Sequence, residues 1–474
     1  MTRSISAQRV ATLVGTFHRS PAYAGLADSL RLLVGDGRIP LETRLPSERE
    51  MTGVLGVSRT TVTRAYAELR DSGYAEARRG AGTFTRVPGG RERALDNALL
   101  PYAGDDEAID LNCAASSAPP GVATASQEAA ADLPAYLGGH GYFPAGLPRL
   151  QAAIAQTYDA RGLPTRPEQI MVTPGALSAA AIVAQALTGP GDRVLVEDPV
   201  YPNAVQAIRQ GGARVVPSPV DPDGWDLDAV GAALRQANPR LAYLIADFQN
   251  PTGHLMTDPQ REEYAAHLRR TRTVAVVDEA HQALPLEGQP MPRPFAAYAP
   301  DAITIGSASK AFWGGLRLGW IRANDPQMAA LTRARVSFDL GTPVLEQLTL
   351  TRLLASAEPI LADHRARLRR QRDRLAAAVE DRLPDWRFRL PSGGLALWCE
   401  LPHSGATALV AEAERRGVIL APGPVFAAEG GLDRFVRIPW TLPGEQLEEA
   451  ANRLAPAWAA VGRGDEPRPR IMVA

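Results

Sequence analysis

The sequence predicts two joined parts: an N-terminal winged helix-turn-helix, mainly α with a β wing, and an α/β domain with a smaller α+β C-terminal portion. Three observations carry this. Within residues 1–86, two capped helix signals flank a glycine and are followed by an alternating hairpin segment. From Ile109 onward, short apolar strand segments alternate with helical stretches. The 474 residues, at roughly 150 per domain, make about three folding units.

In the first part, Leu26, Leu30, Leu33 and Val34 repeat at helical spacing. Ser47 followed by Glu50 is a capping-box start for a short helix ending near Leu55. Gly56 supplies the turn, and Ser58 caps a second helix that buries Val62, Tyr66 and Leu69. The segment YAEARRGAGTFTRV alternates and reads as two strands around a Gly-Ala-Gly turn. The second helix places Arg59, Thr60, Thr61, Thr63 and Arg64 in its N-terminal half, where a recognition helix carries donors for base edges and phosphates. Arg44, Ser47 and Arg49 are candidates for phosphate contact, and Arg78, Arg79 and Gly80 for contact of the wing with a groove or backbone. Charge agrees with this reading. Residues 1–86 hold 13 arginines against 8 acids, a balance of +5, whereas the rest hold 38 basic and 44 acidic groups, or −6. That asymmetry suits a nucleic-acid-binding module on an acidic body.

Residues 87–108 are rich in Pro, Gly and charge without periodicity, and read as a linker. Beyond it, QIMVTPG, RVLVEDP, RLAYLIADF, TVAVVDEAH and AITIGSAS read as strands separated by helices, which implies a mostly parallel sheet. A long arginine-rich helical segment, 345–382, leads to further strands in GGLALWCEL and FVRIPW.

Composition excludes several classes. With 45% apolar and 22% charged residues the chain is neither disordered nor fibrous. Its two cysteines, Cys113 and Cys399, have no metal-ligand spacing, which points to a reducing compartment and to no metal. No apolar run reaches transmembrane length, and the N-terminus lacks the apolar core of a signal peptide, so the expected location is cytoplasmic. One count is more telling. Of 51 basic residues, 50 are arginine and one is lysine, Lys310. Arginine replaces lysine in most charge roles, but its guanidinium stays protonated and cannot act as an amine nucleophile. The surviving lysine is therefore a candidate for Schiff-base chemistry with a carbonyl cofactor.

Lys310 lies in ITIGSASKAFWGGLRLGW, preceded in order by TPGA at 173–176, NPTG at 250–253 and VVDEAH around Asp278. This set resembles the pyridoxal-phosphate motifs of fold-type I aminotransferases. The window from LADSLRLLVGDGRIPLETRLPSERE through GAGTF resembles the GntR-type winged helix. Together, over about residues 20–460, the chain resembles the MocR/GabR class of transcriptional regulators. The resemblance implies a winged helix at 1–86, a linker at 87–108, and a fold-type I aminotransferase-like domain at 109–474 that binds pyridoxal 5'-phosphate.

By resemblance, Lys310 joins the cofactor as a Schiff base and Asp278 bonds its pyridine nitrogen. Asn250 bonds the phenolic oxygen. Ser307, Ser309 and Arg317, with the amides near Ala176 and Leu177, hold the phosphate. Tyr201 lines or stacks on the ring, and Arg437 takes a ligand carboxylate. Two departures stand out. Ala176 and Leu177 replace a hydroxyl residue and a glutamine, which leaves only backbone donors there. His281 stands where tyrosine is common, with its imidazole expected to donate to the phenolic oxygen. The implied function is a homodimeric regulator that binds a double-stranded DNA operator and senses a small-molecule amine or carboxylate, an amino-acid-like or vitamer effector. The alternatives are an active aminotransferase with a DNA-binding appendage and a cofactor-free DNA-binding protein with a dimerisation scaffold.

Overall fold

The computed structural model describes residues 4–35, 38–78, 80–86 and 108–462. Arg79 and the linker up to residue 107 lie outside the described residues. The described chain divides into two compact units, residues up to 86 with 118–128, and 108–117 with 129–462. Residues 118–128, which follow the linker expected at 87–108, group with the smaller unit.

The small unit runs α1 (Ala7–Val14), α2 (Ala22–Gly35), α3 (Glu48–Leu55), α4 (Arg59–Asp71), β1 (Ala75–Arg78) and β2 (Gly82–Thr85). Helix α1 escaped the sequence reading; Ser6 caps it, and Val10 joins the core. The Ser47–Glu50 capping box starts α3, and Gly56 ends it with a φ of 61°, the left-handed turn that glycine adopts without strain. Ser58 caps α4 by accepting from the Thr61 amide. Leu26, Leu30, Met51, Val62 and Leu69 are fully buried between the helices. The Tyr66 hydroxyl donates to the Pro46 carbonyl at 2.8 Å, tying α4 to the entry of α3. β1 and β2 pair antiparallel from Ala75–Thr85 to Arg78–Gly82, forming the wing.

The large unit opens with β3 (Ile109–Asp110) and then builds its main sheet from β4 (Ile170–Thr173), β5 (Arg193–Asp198), β6 (Arg214–Asp221), β7 (Gly224–Trp225), β8 (Leu241–Leu244), β9 (Val274–Asp278), β10 (Ile303–Ser307) and β11 (Gly319–Arg322). The spatial order is β4-β11-β10-β9-β8-β5-β6-β7. β6, β5, β8, β9 and β10 are mutually parallel along this order. β11 is antiparallel to both its neighbours, so the sheet is mixed. The five strands expected from sequence are β4, β5, β8, β9 and β10. β11 escaped because GWIR is short and follows a glycine-rich turn. Leu195, Val196, Val277, Ile303 and Ile305 are at most 1% exposed, as expected of a sheet covered on both faces.

The C-terminal portion holds β12 (Ala396–Glu400), β13 (Val418–Ile419), β14 (Ala421–Pro422) and β15 (Phe435–Pro439). β12, β15 and β14 form an antiparallel sheet, and β13 pairs with β3. The long helix Ala357–Arg382 and the last helix, Gly444–Gly462, share a core with this sheet through Leu375, Val379, Leu397, Val436, Trp440 and Leu454. Among the described residues no helix is long and apolar enough to cross a membrane.

Candidate functional site

Segments leaving β4, β5, β8, β9 and β10 in one direction place Gly175, Tyr201, Asn250, Asp278 and Lys310 beyond or at the carboxyl ends of neighbouring strands. That edge of an open α/β sheet is where ligands bind.

One end of the site is an anion cradle. Gly175 precedes the helix Ala176–Leu187 with a φ of 95° and no side-chain cap, so the first amides of that helix stay free for an acceptor. Arg317 donates to the Pro174 carbonyl at 3.3 Å, and a Cβ at Gly175 would lie 2.9 Å from its Nη2. A Cβ at Gly319 would meet Gly175 C at 2.6 Å and Ala176 N at 2.7 Å, so only glycine lets β11 lie this close to the cradle. Ser307 Oγ accepts from the Ser309 amide at 3.2 Å, turning the chain into the short helix Ala308–Ala311 that carries Lys310.

The other end is a buried carboxylate. Asp278 closes β9 and is 7% exposed. The Tyr243 hydroxyl on β8 donates to its Oδ2 at 2.7 Å, and the Ala280 amide donates to its Oδ1 at 2.9 Å. Burial pushes the carboxyl up from its ordinary value; the Tyr243 bond, the Ala280 bond and the Lys310 charge pull it back. Lys310 is held below the ordinary lysine value, chiefly by burial, with Arg437 and Arg317 adding to the shift and Cys113 and Asp278 opposing it. Its Nζ donates to the Ala114 carbonyl at 2.8 Å.

Between these ends, Asn250 Oδ1 accepts from Arg437 Nη1 at 3.3 Å, which leaves the amide donors as what Asn250 offers an acceptor. Arg437 on β15 is 6% exposed, lies over the Phe426 ring at 4.7 Å, and donates to the Asn112 carbonyl at 2.5 Å. Its Nε is buried without a partner, and burial brings the guanidinium down to about 10. Tyr201 precedes the helix Pro202–Gln210, and its hydroxyl accepts from Asn203 at 2.9 Å.

His281 differs from expectation. Its Nδ1 donates to the Phe248 carbonyl at 3.1 Å. Burial first, then the charges of Lys310 and Arg437, hold the imidazole down to about 3. A neutral ring with Nδ1 protonated has only a lone pair at Nε2, so His281 accepts where the sequence reading expected it to donate.

A phosphorylated aldehyde with a ring nitrogen meets matching groups here: free helix amides and Arg317 at one end, Asp278 at the other, and Lys310 between. The residues fit that group. Among the described residues no cluster of three or more His, Cys, Asp or Glu could hold a metal.

In the small unit, Arg59, Thr60, Thr63 and Arg64 are exposed on α4, with Thr61 partly buried. Thr61 is drawn into the Ser58 cap, and Arg64 stacks on Tyr23 at 3.7 Å. Glu48, which sequence reasoning missed, accepts from Thr63 at 2.8 Å and from Arg59 at 3.4 Å, holding both on the exposed side of α4. Ser47 is engaged in its capping box, while Arg49 is exposed. Arg44 lies against Gly82 of the wing, Arg78 pairs with Glu42 and Glu76, and Gly80 is exposed at the hairpin tip.

The model of the aminotransferase class I and II family matches residues 111–454. The chain belongs to that family. The model described as bacterial regulatory proteins, gntR family, matches residues 22–85. This aminotransferase-family chain thus carries a GntR DNA-binding domain, the MocR-type architecture of a regulator. The chain is 29% identical over 471 residues to the uncharacterized HTH-type transcriptional regulator YdcR of Escherichia coli strain K12, covering 91% of this chain and 98% of the relative. It is 29% identical to the probable rhizopine catabolism regulatory protein MocR of Rhizobium meliloti, covering 77% and 78%. It is 32% identical to the 2-aminoadipate transaminase of Thermus thermophilus, covering 64% of this chain and 79% of the relative. The crystal structure of LysN, the alpha-aminoadipate aminotransferase of Thermus thermophilus complexed with N-(5'-phosphopyridoxyl)-L-leucine, superposes with a TM-score of 0.70 at 29% identity, covering 80% of this chain and 96% of that one.

Proposed function

We propose that this chain is a transcriptional regulator whose aminotransferase-like domain senses an amine bearing a carboxylate. The cofactor is pyridoxal 5'-phosphate. When bound, it supplies an aldehyde for an amine and a pyridine ring that withdraws electrons. The observation that carries the proposal is the convergence of the sole lysine, Lys310, with Asp278, Asn250 and Arg437 in a chain that also bears the α3–α4 reader.

Each residue has a part. Lys310, with lowered basicity, presents a neutral amine at neutral pH more readily than a free lysine does. Asp278, held by Tyr243 and Ala280, keeps a proton at the ring nitrogen. Ser307, Ser309, Arg317 and the amides of Ala176 and Leu177 hold the phosphate, and Asn250 orients the phenolic oxygen. Tyr201 covers the ring. Arg437 offers a guanidinium to a carboxylate. His281 borders this site as an acceptor. Arg44, Ser47, Arg49, Arg59, Thr60, Thr61, Arg64, Arg79 and Gly80 make the DNA face. The reader is residues 1–86, the linker 87–108 and the sensor 109–474, acting in a cytoplasmic homodimer on paired half-sites. A ligand shifts such a regulator only by binding two domain arrangements with different affinities.

The test titrates the cofactor-loaded full chain with candidate amines, following absorbance and binding to its own upstream DNA together. Coincident changes support the sensor. A second reading, an active aminotransferase with a DNA-binding appendage, draws on the similarity to the 2-aminoadipate transaminase. Rapid multiple-turnover transamination with no change in DNA binding would establish that reading instead.

A further inference from the structure

Residues 112–117 border the site just described, and three successive carbonyls there accept from side chains, two of them, Arg437 and Lys310, belonging to that site. Arg437 donates to Asn112 O at 2.5 Å, Thr441 to Cys113 O at 3.3 Å and Lys310 to Ala114 O at 2.8 Å. The far end is pinned by the long helix Ala357–Arg382. His364 Nδ1 accepts from Arg367 Nη2 at 2.9 Å, so its Nε2 is the donor, shared between Lys310 O at 3.2 Å and Ser116 Oγ at 3.4 Å. Arg367 also donates to Ser117 O at 2.9 Å. In sequence the segment runs on into 118–128, the stretch that belongs to the small unit.

We propose that residues 112–117 are a strap that the ligand displaces, the Asn112 carbonyl standing on Arg437 where a ligand carboxylate goes. The inference rests on the proposed role of Arg437. Nη1 already donates to Asn250 and Nη2 to the Asn112 carbonyl, so a carboxylate that takes the two terminal nitrogens competes with that carbonyl for Nη2, and the charged acceptor makes the stronger bond. Carboxylate binding therefore frees the strap at Asn112, and attachment of the cofactor at Lys310 frees it at Ala114. Release travels along the backbone into 118–128, so the strap links ligand occupancy to the smaller unit.

Cys113 reports on this directly. It sits mid-strap, half-buried, and the chain's other cysteine, Cys399, is fully buried. The experiment measures alkylation of Cys113 by iodoacetamide and backbone hydrogen exchange of residues 109–118 in the full chain. One arm adds N-(5'-phosphopyridoxyl)-L-leucine, which carries a carboxylate, and compares pyridoxamine phosphate, which does not; binding of each is read from its own absorbance. The carboxylate-bearing compound should accelerate both signals at least about tenfold beyond the other, the factor expected for losing one charged hydrogen bond. A second arm uses unliganded Arg437→Ala, which should show the same acceleration. If the leucine compound binds and neither signal moves, the strap is wrong while the ligand site stands. If it fails to bind, the ligand-site reading fails, and the Arg437→Ala arm alone decides the strap: unchanged signals there overturn it.

Discussion

The Tyr243 hydroxyl, on β8, donates a 2.7 Å hydrogen bond to Oδ2 of Asp278, at the end of β9. Parallel pairing sets this bond: Tyr243 is opposite Val276, two residues before Asp278, so both side chains leave the same face of the sheet. Tyr243→Phe removes the hydroxyl and little volume, leaving the buried carboxylate with the Ala280 amide. Loss of a hydrogen bond to a charged group costs about 1.5–3 kcal/mol. Pyridoxal-phosphate binding should weaken at least about tenfold, measured by absorbance titration; unchanged affinity would show that Asp278 does not need this partner.

Two buried imidazoles predict a pH dependence. His281 is held down to about 3 and His364 to about 4, both chiefly by burial, against an ordinary 6.5. Their folded values lie below the unfolded one, so below pH 6.5 the unfolded chain takes up protons that the folded chain refuses. Their contribution is complete above 6.5 and is lost as pH falls toward 3–4, at up to about 1.4 kcal/mol per pH unit for each imidazole. His364→Gln should flatten the fall of Tm between pH 6.5 and 4 relative to the parent chain. Parallel curves would remove His364 as a contributor.

On the DNA face, Arg59 and Arg49 should fail differently. Arg59→Ala should cost about 1–3 kcal/mol and relax preference at one base position. Arg49→Ala should weaken binding to all sequences alike and reduce the salt slope by about 1. Operator titrations at several salt concentrations separate the two, and a uniform loss in Arg59→Ala would move Arg59 to the phosphate set.

Ser47 belongs to the capping box of α3 through bonds in both directions with Glu50. Ser47→Ala should destabilise the small unit by about 1 kcal/mol, read in the full chain from faster hydrogen exchange of the α3 amides. No change in exchange together with weaker DNA binding would make Ser47 a phosphate contact first.

The caps at Ser47 and Ser58, the turn at Gly56 and five strands of the main sheet were legible in the sequence because each rests on local chemistry. Lys310 was legible because the composition isolates it. What escaped depends on pairing between distant segments. β11 reads as a glycine-rich turn until β4 and β10 flank it. Tyr243 looks like a core tyrosine until the register sets it beside Asp278. His281 was placed at the site, but its tautomer is fixed by a carbonyl 33 positions away. Glu48 reads as a first-turn acid suited to the helix dipole, and only the packing of α3 on α4 turns it toward Arg59.

Borohydride reduction of the chain saturated with pyridoxal phosphate, followed by peptide mass mapping, is the most direct test. One pyridoxyl group is expected, on the peptide containing Lys310, and none in Lys310→Ala. An unlabelled Lys310 peptide under saturation would contradict it.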